Sequence, residues 1–221
     1  MLLEIACFSY SDALIAKEAG ADRVELCKRK KVGGLTPAIK TTVEACESLG
    51  LPVYVMVRPV ADSFCYTAEQ FLKMKETIRF FKKKKCAGFV FGILDENNRV
   101  NKKQCKELIK LATPLPCTFH RAFDETPDLK QALEDVIACG FKRILTSGGK
   151  GNADQNTESL KQLVKLAGKK IIIIPGGGVR KGNILNTVSK TKCREIHSGA
   201  IDKSTNRISA GEIKAMKLLV K

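Results

Sequence analysis

Short apolar runs alternate along the chain with stretches whose apolar residues recur at helical spacing. Strand-like runs occupy 2–7, 23–26, 53–57, 88–93, 117–120, 143–146, 171–174 and 195–197. Helical periodicity covers 11–19, 37–49, 68–84, 102–112, 129–139, 158–167, 181–189 and 210–220. Strands that alternate with helices imply a parallel sheet with right-handed crossovers. Eight such units with no linker or low-complexity tract predict a single (β/α)8 TIM barrel, one domain over residues 1–221. That length is at the low end of about 200–250 residues for the fold. A doubly wound open sheet is the alternative, but it usually uses fewer strands. Thr36-Pro37 reads as a cap residue followed by proline at the first helical position. Gly20, Gly50, Gly140 and Gly168 fall just past helices, where a left-handed cap favours glycine.

Composition narrows the function classes. The net charge of +16 would attract phosphate, nucleic acid or an anionic membrane surface. The lysines are spread along the chain, Trp is absent and no basic run coincides with aromatic residues. Nucleic acid is therefore a poor fit as partner. The nine cysteines are an odd count without a close-spaced pair, which argues against a secreted disulfide framework. The longest apolar run, 171–175, is too short to cross a bilayer. A reducing cytoplasmic or nuclear setting with no membrane partner is the expectation.

In such a barrel, chemistry collects at the C-terminal strand ends. Side-chain alternation places Val24 and Leu26 outward, under the helices, and aims Glu25 and Cys27 inward. The same count aims Met56 and Arg58, Thr118 and His120, Thr146, and His197 into the mouth, with Asp124 just beyond. Carboxylate, guanidinium and imidazole on one cavity could bind an anion and move a proton, because histidine titrates near neutrality. The bland alternative is an Arg–Glu pair that fills the barrel, with His120 a satisfied core residue. Glycine loops add a second signal. Thr146-Ser147-Gly148-Gly149 and Gly176-Gly177-Gly178 follow the sixth and seventh strands, where free amides could cradle an oxyanion. The glycines could equally serve only tight turns.

The blocks Glu25-Leu26-Cys27, Gly33-Gly34-Leu35-Thr36-Pro37, Met56-Val57-Arg58-Pro59, Thr118 to Asp124, Leu145 to Gly149 and Pro175 to Gly178 occur in order. Together they resemble the copper-homeostasis family CutC over nearly the whole chain. The resemblance implies one barrel, a cytoplasmic setting, self-association into a homo-oligomer and a role in copper homeostasis, with cuprous ion, Cu(I), as ligand. Cuprous ion prefers thiolate and thioether donors. Cys27, Cys7, His120 and His197 are the candidate ligands, with Met56 close by. Where many relatives carry cysteine this chain has Ala6, with Cys7 as its neighbour, and Val60-Ala61-Asp62-Ser63 replaces Arg-Gly-Gly-Asp after Arg58-Pro59. Two functions stay open. One is a copper-homeostasis protein that binds or traffics Cu(I), with Cys27 the best-placed thiolate. The other is a barrel enzyme acting on a phosphorylated or carboxylated small molecule. There His120 would transfer the proton with Glu25 as partner, and Arg58 and the glycine loops would hold the anion.

Overall fold

Each apolar run forms a strand and each following segment a helix in the computed structural model, which describes residues 1–221. The strands are β1 (Leu2–Cys7), β2 (Arg23–Leu26), β3 (Val53–Met56), β4 (Gly88–Phe91), β5 (Cys117–Phe119), β6 (Arg143–Thr146), β7 (Ile172–Pro175) and β8 (Glu195–Ser198). The helices are α1 (Tyr10–Glu18), α2 (Ile39–Ser48), α3 (Ala68–Phe81), α4 (Lys102–Ala112), α5 (Leu129–Cys139), α6 (Thr157–Ala167), α7 (Ile184–Thr191) and α8 (Ala210–Leu219). All ladders are parallel, in the order β7-β6-β5-β4-β3-β2-β1-β8. β7 lies beside β8 without a ladder, so the sheet curls into a nearly closed (β/α)8 barrel and not an open doubly wound sheet.

Strand alternation sorts the core into two layers. Leu3, Ile5, Val24, Leu26, Val53 and Val55 join the outer core beneath the helices. Cys27, Tyr54, Met56 and Val90 form a separate inner cluster. Phe89, Phe91 and Phe119 are fully buried in the outer layer, each burial contributing roughly 2–3 kcal/mol. Helix ends follow local chemistry. Thr67 and Gln70 form a reciprocal capping box at the start of α3. Thr36-Pro37 does not open α2, which begins at Ile39. Thr36 is spent elsewhere: its N–H donates to the Arg58 carbonyl at 2.9 Å, and its hydroxyl accepts from the Arg58 N–H at 2.9 Å. This stitches the β2–α2 loop to the end of β3. α7 likewise starts later than its periodicity suggests, because Arg180 N–H donates to Asn183 Oδ1 at 2.7 Å in a turn ahead of the helix.

The N-terminal half of the lumen is a charged floor. Arg23 pairs with Glu4, and its Nη2 lies 2.5 Å from Glu195 Oε2. Arg143 Nε lies 2.8 Å from the same Glu195 oxygen, and its Nη1 donates to Tyr54 Oη at 3.2 Å. The Arg23 guanidinium stacks 4.8 Å over the Tyr54 ring. Burial opposes charge on Arg23, but Glu4 and Glu195 outweigh it and raise its pKa. Burial also opposes the Glu195 charge, and the hydrogen bond from Arg143 with the field of Arg23 holds its carboxyl below the usual range. Gly88 makes room for this layer: a Cβ there would sit 2.6 Å from the Pro116 carbonyl oxygen and 2.7 Å from the Tyr54 ring.

Candidate functional site

Above the floor, the C-terminal strand ends enclose a cavity of about 470 Å³ lined by Glu25, Cys27, Met56, Arg58, His120 and His197, among others. It has the size of a small-metabolite site. Glu25 and His197 meet across the mouth, with His197 Nε2 3.0 Å from Glu25 Oε2 and 4.0 Å from Glu4 Oε1. Burial works against a charged His197, but the hydrogen bond to Glu25 and the negative fields of Glu25 and Glu4 prevail, and its pKa is raised. The second oxygen, Glu25 Oε1, is buried and has no hydrogen-bond partner.

His120 caps the 3-10 turn Arg121–Glu125 that follows β5. Its Nδ1 accepts from the Ala122 N–H at 3.2 Å, which assigns the ring proton to Nε2. Nε2 is buried without a partner. Burial, then the nearby Arg58 charge, pushes the pKa of this imidazole down to about 3. Phe64 packs on the ring at a centroid distance of 5.0 Å, tilted by 58°. Glycine is required opposite, since a Cβ at Gly92 would sit 2.7 Å from His120 Nδ1. His120 is thus a neutral N–H donor, not a base, and the partner of Glu25 is His197. Two histidines in one cavity are driven in opposite directions.

Several expected site residues are placed differently. Thr146 does not face the mouth. Arg143 and Leu145 take the lumen side of β6, and the Thr146 hydroxyl bonds to Asp124. Ser147 N–H also donates to Asp124, and Gly148 N–H donates to Thr146 Oγ1 at 2.8 Å. With the Gly149 carbonyl accepting from Ser147 Oγ at 2.7 Å, the loop folds back on itself, and its Ser147 and Gly148 amides are spent on Asp124 and Thr146. Gly176 N–H is likewise taken, by the Thr146 carbonyl at 2.9 Å. Arg58 donates Nη1 to the carbonyls of Val32 and Gly34 and Nη2 to that of Ala61, leaving only Nε unpartnered. It clamps the loops around the mouth. Gly177 and Gly178 do line the cavity. Arg121, inside the Thr118–Asp124 block but not singled out from sequence, lines it too. Its signal was the i, i+3 spacing to Asp124, which its Nε meets at 2.8 Å.

The chain matches the model of the CutC family over residues 1–202. It is 37% identical over 199 residues to the human copper homeostasis protein cutC homolog, covering 90% of this chain and 73% of the relative. It is 42% identical over 198 residues to a family protein CutC of Photorhabdus laumondii, covering 90% of this chain and 79% of the relative. The chain belongs to the CutC family. A solved CutC structure from Streptococcus agalactiae superposes with a TM-score of 0.85 at 32% identity, over 90% of this chain and 98% of the other. A phosphoribosyl anthranilate isomerase from Thermococcus kodakaraensis superposes at a TM-score of 0.68 and 15% identity, over 100% and 98% of the two chains, which is a likeness of fold alone.

For a CutC protein the metal-donor set is the natural question. Nowhere do three His, Cys, Asp or Glu side chains gather in a metal-holding arrangement. Ala6 lines the cavity, whereas Cys7 belongs to the outer core on the opposite face of β1. His197 is tied to Glu25, and the accepting Nδ1 of His120 leaves its Nε2 protonated. Of the expected set, Cys27, His120 and His197 line one cavity, and Cys7 lies outside it. Cys27 does have a soft neighbour. A Cβ built on Gly34 would lie 3.0 Å from Cys27 Sγ and 3.7 Å from Met56 Cε. Burial, then the field of Glu25, pushes the Cys27 thiol well above its usual pKa.

Proposed function

We propose that this CutC protein serves copper homeostasis through a small-molecule site that transfers a proton on an anionic carbonyl compound. The observation that carries this reading is the pair of buried, unpartnered atoms on one cavity: an acceptor, Glu25 Oε1, and a neutral donor, His120 Nε2–H. A group left unpaired in low dielectric costs stability, so such groups in a cavity point to a ligand that completes them. Glu25 would take a proton from carbon next to the carbonyl. The neutral His120 N–H would donate to the carbonyl oxygen as charge develops on it. Positive His197 would hold the Glu25 carboxylate in place through Oε2, and the proton taken from carbon would rest on Glu25 Oε1 until it is returned to the enolate carbon. The test is deuterium exchange from heavy water into a panel of small phosphorylated and carboxylated carbonyl compounds. Exchange should appear for one class and fall by at least about 100-fold in Glu25→Gln. Exchange that survives Glu25→Gln, or no saturable ligand in the panel, would overturn the reading.

A second reading is favoured by Cys27 and Met56 sharing one cluster at the cavity: cuprous ion as cargo, bound at the mouth. Cys27 would have to yield its proton and His120 would have to change tautomer, so affinity would be modest and rise with pH. Anaerobic titration against a competing chelator would show saturable binding lost in Cys27→Ser; binding unchanged in that variant would remove this reading. Nine free cysteines, seven of them buried, suit a reducing cytoplasm, and no helix is long and apolar enough to cross a membrane. Self-association is carried over from the resemblance as a further expectation.

A further inference from the structure

We infer that the ligand of this mouth carries a phosphate monoester, held by Arg121 with the main-chain amides of Gly177, Gly178 and Gly199. The inference rests on the reading of the cavity as a small-molecule site and names the anionic group. Four observations lead to it. First, all four residues line the same cavity as Glu25 and His120. Second, the amides of Gly177, Gly178 and Gly199 donate to nothing in the protein, whereas the neighbouring Gly176 and Ala200 amides are taken by the Thr146 carbonyl and by Ser198 Oγ. Third, Arg121 is held in a fixed pose. Its Nε donates to Asp124 and its Nη2 to Ser147 Oγ at 2.9 Å, which leaves Nη1 unpartnered. Fourth, the unpartnered end of Arg121 lies beside the glycine loop: a Cβ at Gly177 would sit 3.2 Å from Arg121 Cζ and 3.3 Å from Nη1. Gly177 and Gly178 also adopt φ of 92° and 74°, which other residues rarely take.

The buried Asp124 now has a purpose. It gathers Thr146, Ser147 and Arg121 into one unit, so the β6–α6 loop is the support of the cationic group and not itself the cradle. Asp124 and the exposed Glu125 are the acids beside Arg121, and Nη1 is turned away from the Asp124 bond. Three amides on two loops plus one guanidinium offer donors in several directions. A tetrahedral phosphate with three outer oxygens can use them, whereas a planar carboxylate is served by two parallel donors. The loops after the seventh and eighth strands are also where barrels of this type often hold phosphate.

The test is titration of isotope-labelled protein with inorganic phosphate at constant ionic strength, with acetate in parallel. Phosphate should shift the Gly177, Gly178 and Gly199 amide signals saturably, and acetate should not. Affinity should fall about tenfold in Arg121→Gln and recover in part in Arg121→Lys. Unmoved glycine signals, equal shifts with acetate, or the same affinity in Arg121→Gln would overturn the proposal. Inorganic phosphate has no carbon-bound proton, so this titration reads the clasp apart from the chemistry. Phosphate bound at the glycines by a protein without exchange activity would keep the clasp and remove the proton-transfer reading.

Discussion

The floor and the mouth of this barrel are built from the same residue types and put them to opposite uses. In the floor, Arg23, Arg143, Glu4 and Glu195 balance one another, and Tyr54 caps the group. Only Glu4 Oε1 lacks a hydrogen bond, and it faces His197 above. In the mouth, Glu25, His120 and Arg58 each keep one buried polar atom unpartnered. Burial alone therefore does not separate a structural charge from a functional one. The difference between the two regions is how many buried polar atoms each leaves unpartnered, one in the floor and three in the mouth.

Breaking the floor should cost most. Arg23→Met leaves Glu4 and Glu195 without their shared partner and should lower unfolding stability by about 3–5 kcal/mol, read by urea denaturation. A loss well under that range would show that the floor is not a paired unit. The mouth should instead reveal itself through pH. Below its ordinary pKa of 6.5, the unfolded chain protonates the His120 imidazole, while the folded ring stays neutral down to about 3. Stability therefore falls as pH falls through that window, by about 2 kcal/mol between pH 7 and pH 5 from this group. His120→Gln should remove that part of the acid sensitivity. His197 acts in the other sense. Its raised pKa stabilises the fold fully below 6.5, and the contribution fades as pH rises through the folded value.

Filling the space beside His120 is a smaller perturbation. Gly92→Ala places a methyl against the ring and should cost about 1 kcal/mol or somewhat more, with the pKa of His120 displaced in the same variant. An unaltered His120 titration would show that the glycine does not set the ring's position. The smallest effect is one of rate. Exposed Cys65 should react with a thiol reagent at neutral pH long before buried Cys27, whose thiol is kept protonated by burial and Glu25. Early modification of Cys27 would mean an open, electropositive mouth.

The barrel was legible from the alternation of runs because strand and helix periods differ and each unit repeats the same return. Side-chain direction was legible where a strand is regular. Glu25 and Cys27 follow directly from Val24 and Leu26 facing outward. It failed at the end of β6, where Leu145 faces the lumen and Thr146 turns to Asp124, a buried carboxylate whose claim on three neighbouring donors no local pattern announces. Thr36 was misread as a cap for a similar reason: its hydrogen bonds go to Arg58, a residue distant in sequence. The pairing of Glu25 with His197, and not His120, depends on closure of β8 onto β1, which brings the chain's last strand beside its first.

The central claim is that His120 and His197 hold opposite protonation states on one cavity. With only two histidines in the chain, nuclear magnetic resonance can follow both ring nitrogens through a pH titration. The account predicts that His120 keeps its proton on Nε2 and stays neutral until its pKa of about 3, while His197 titrates above 6.5. Two rings that both titrate near 6.5, or a His120 ring protonated on Nδ1, would contradict it.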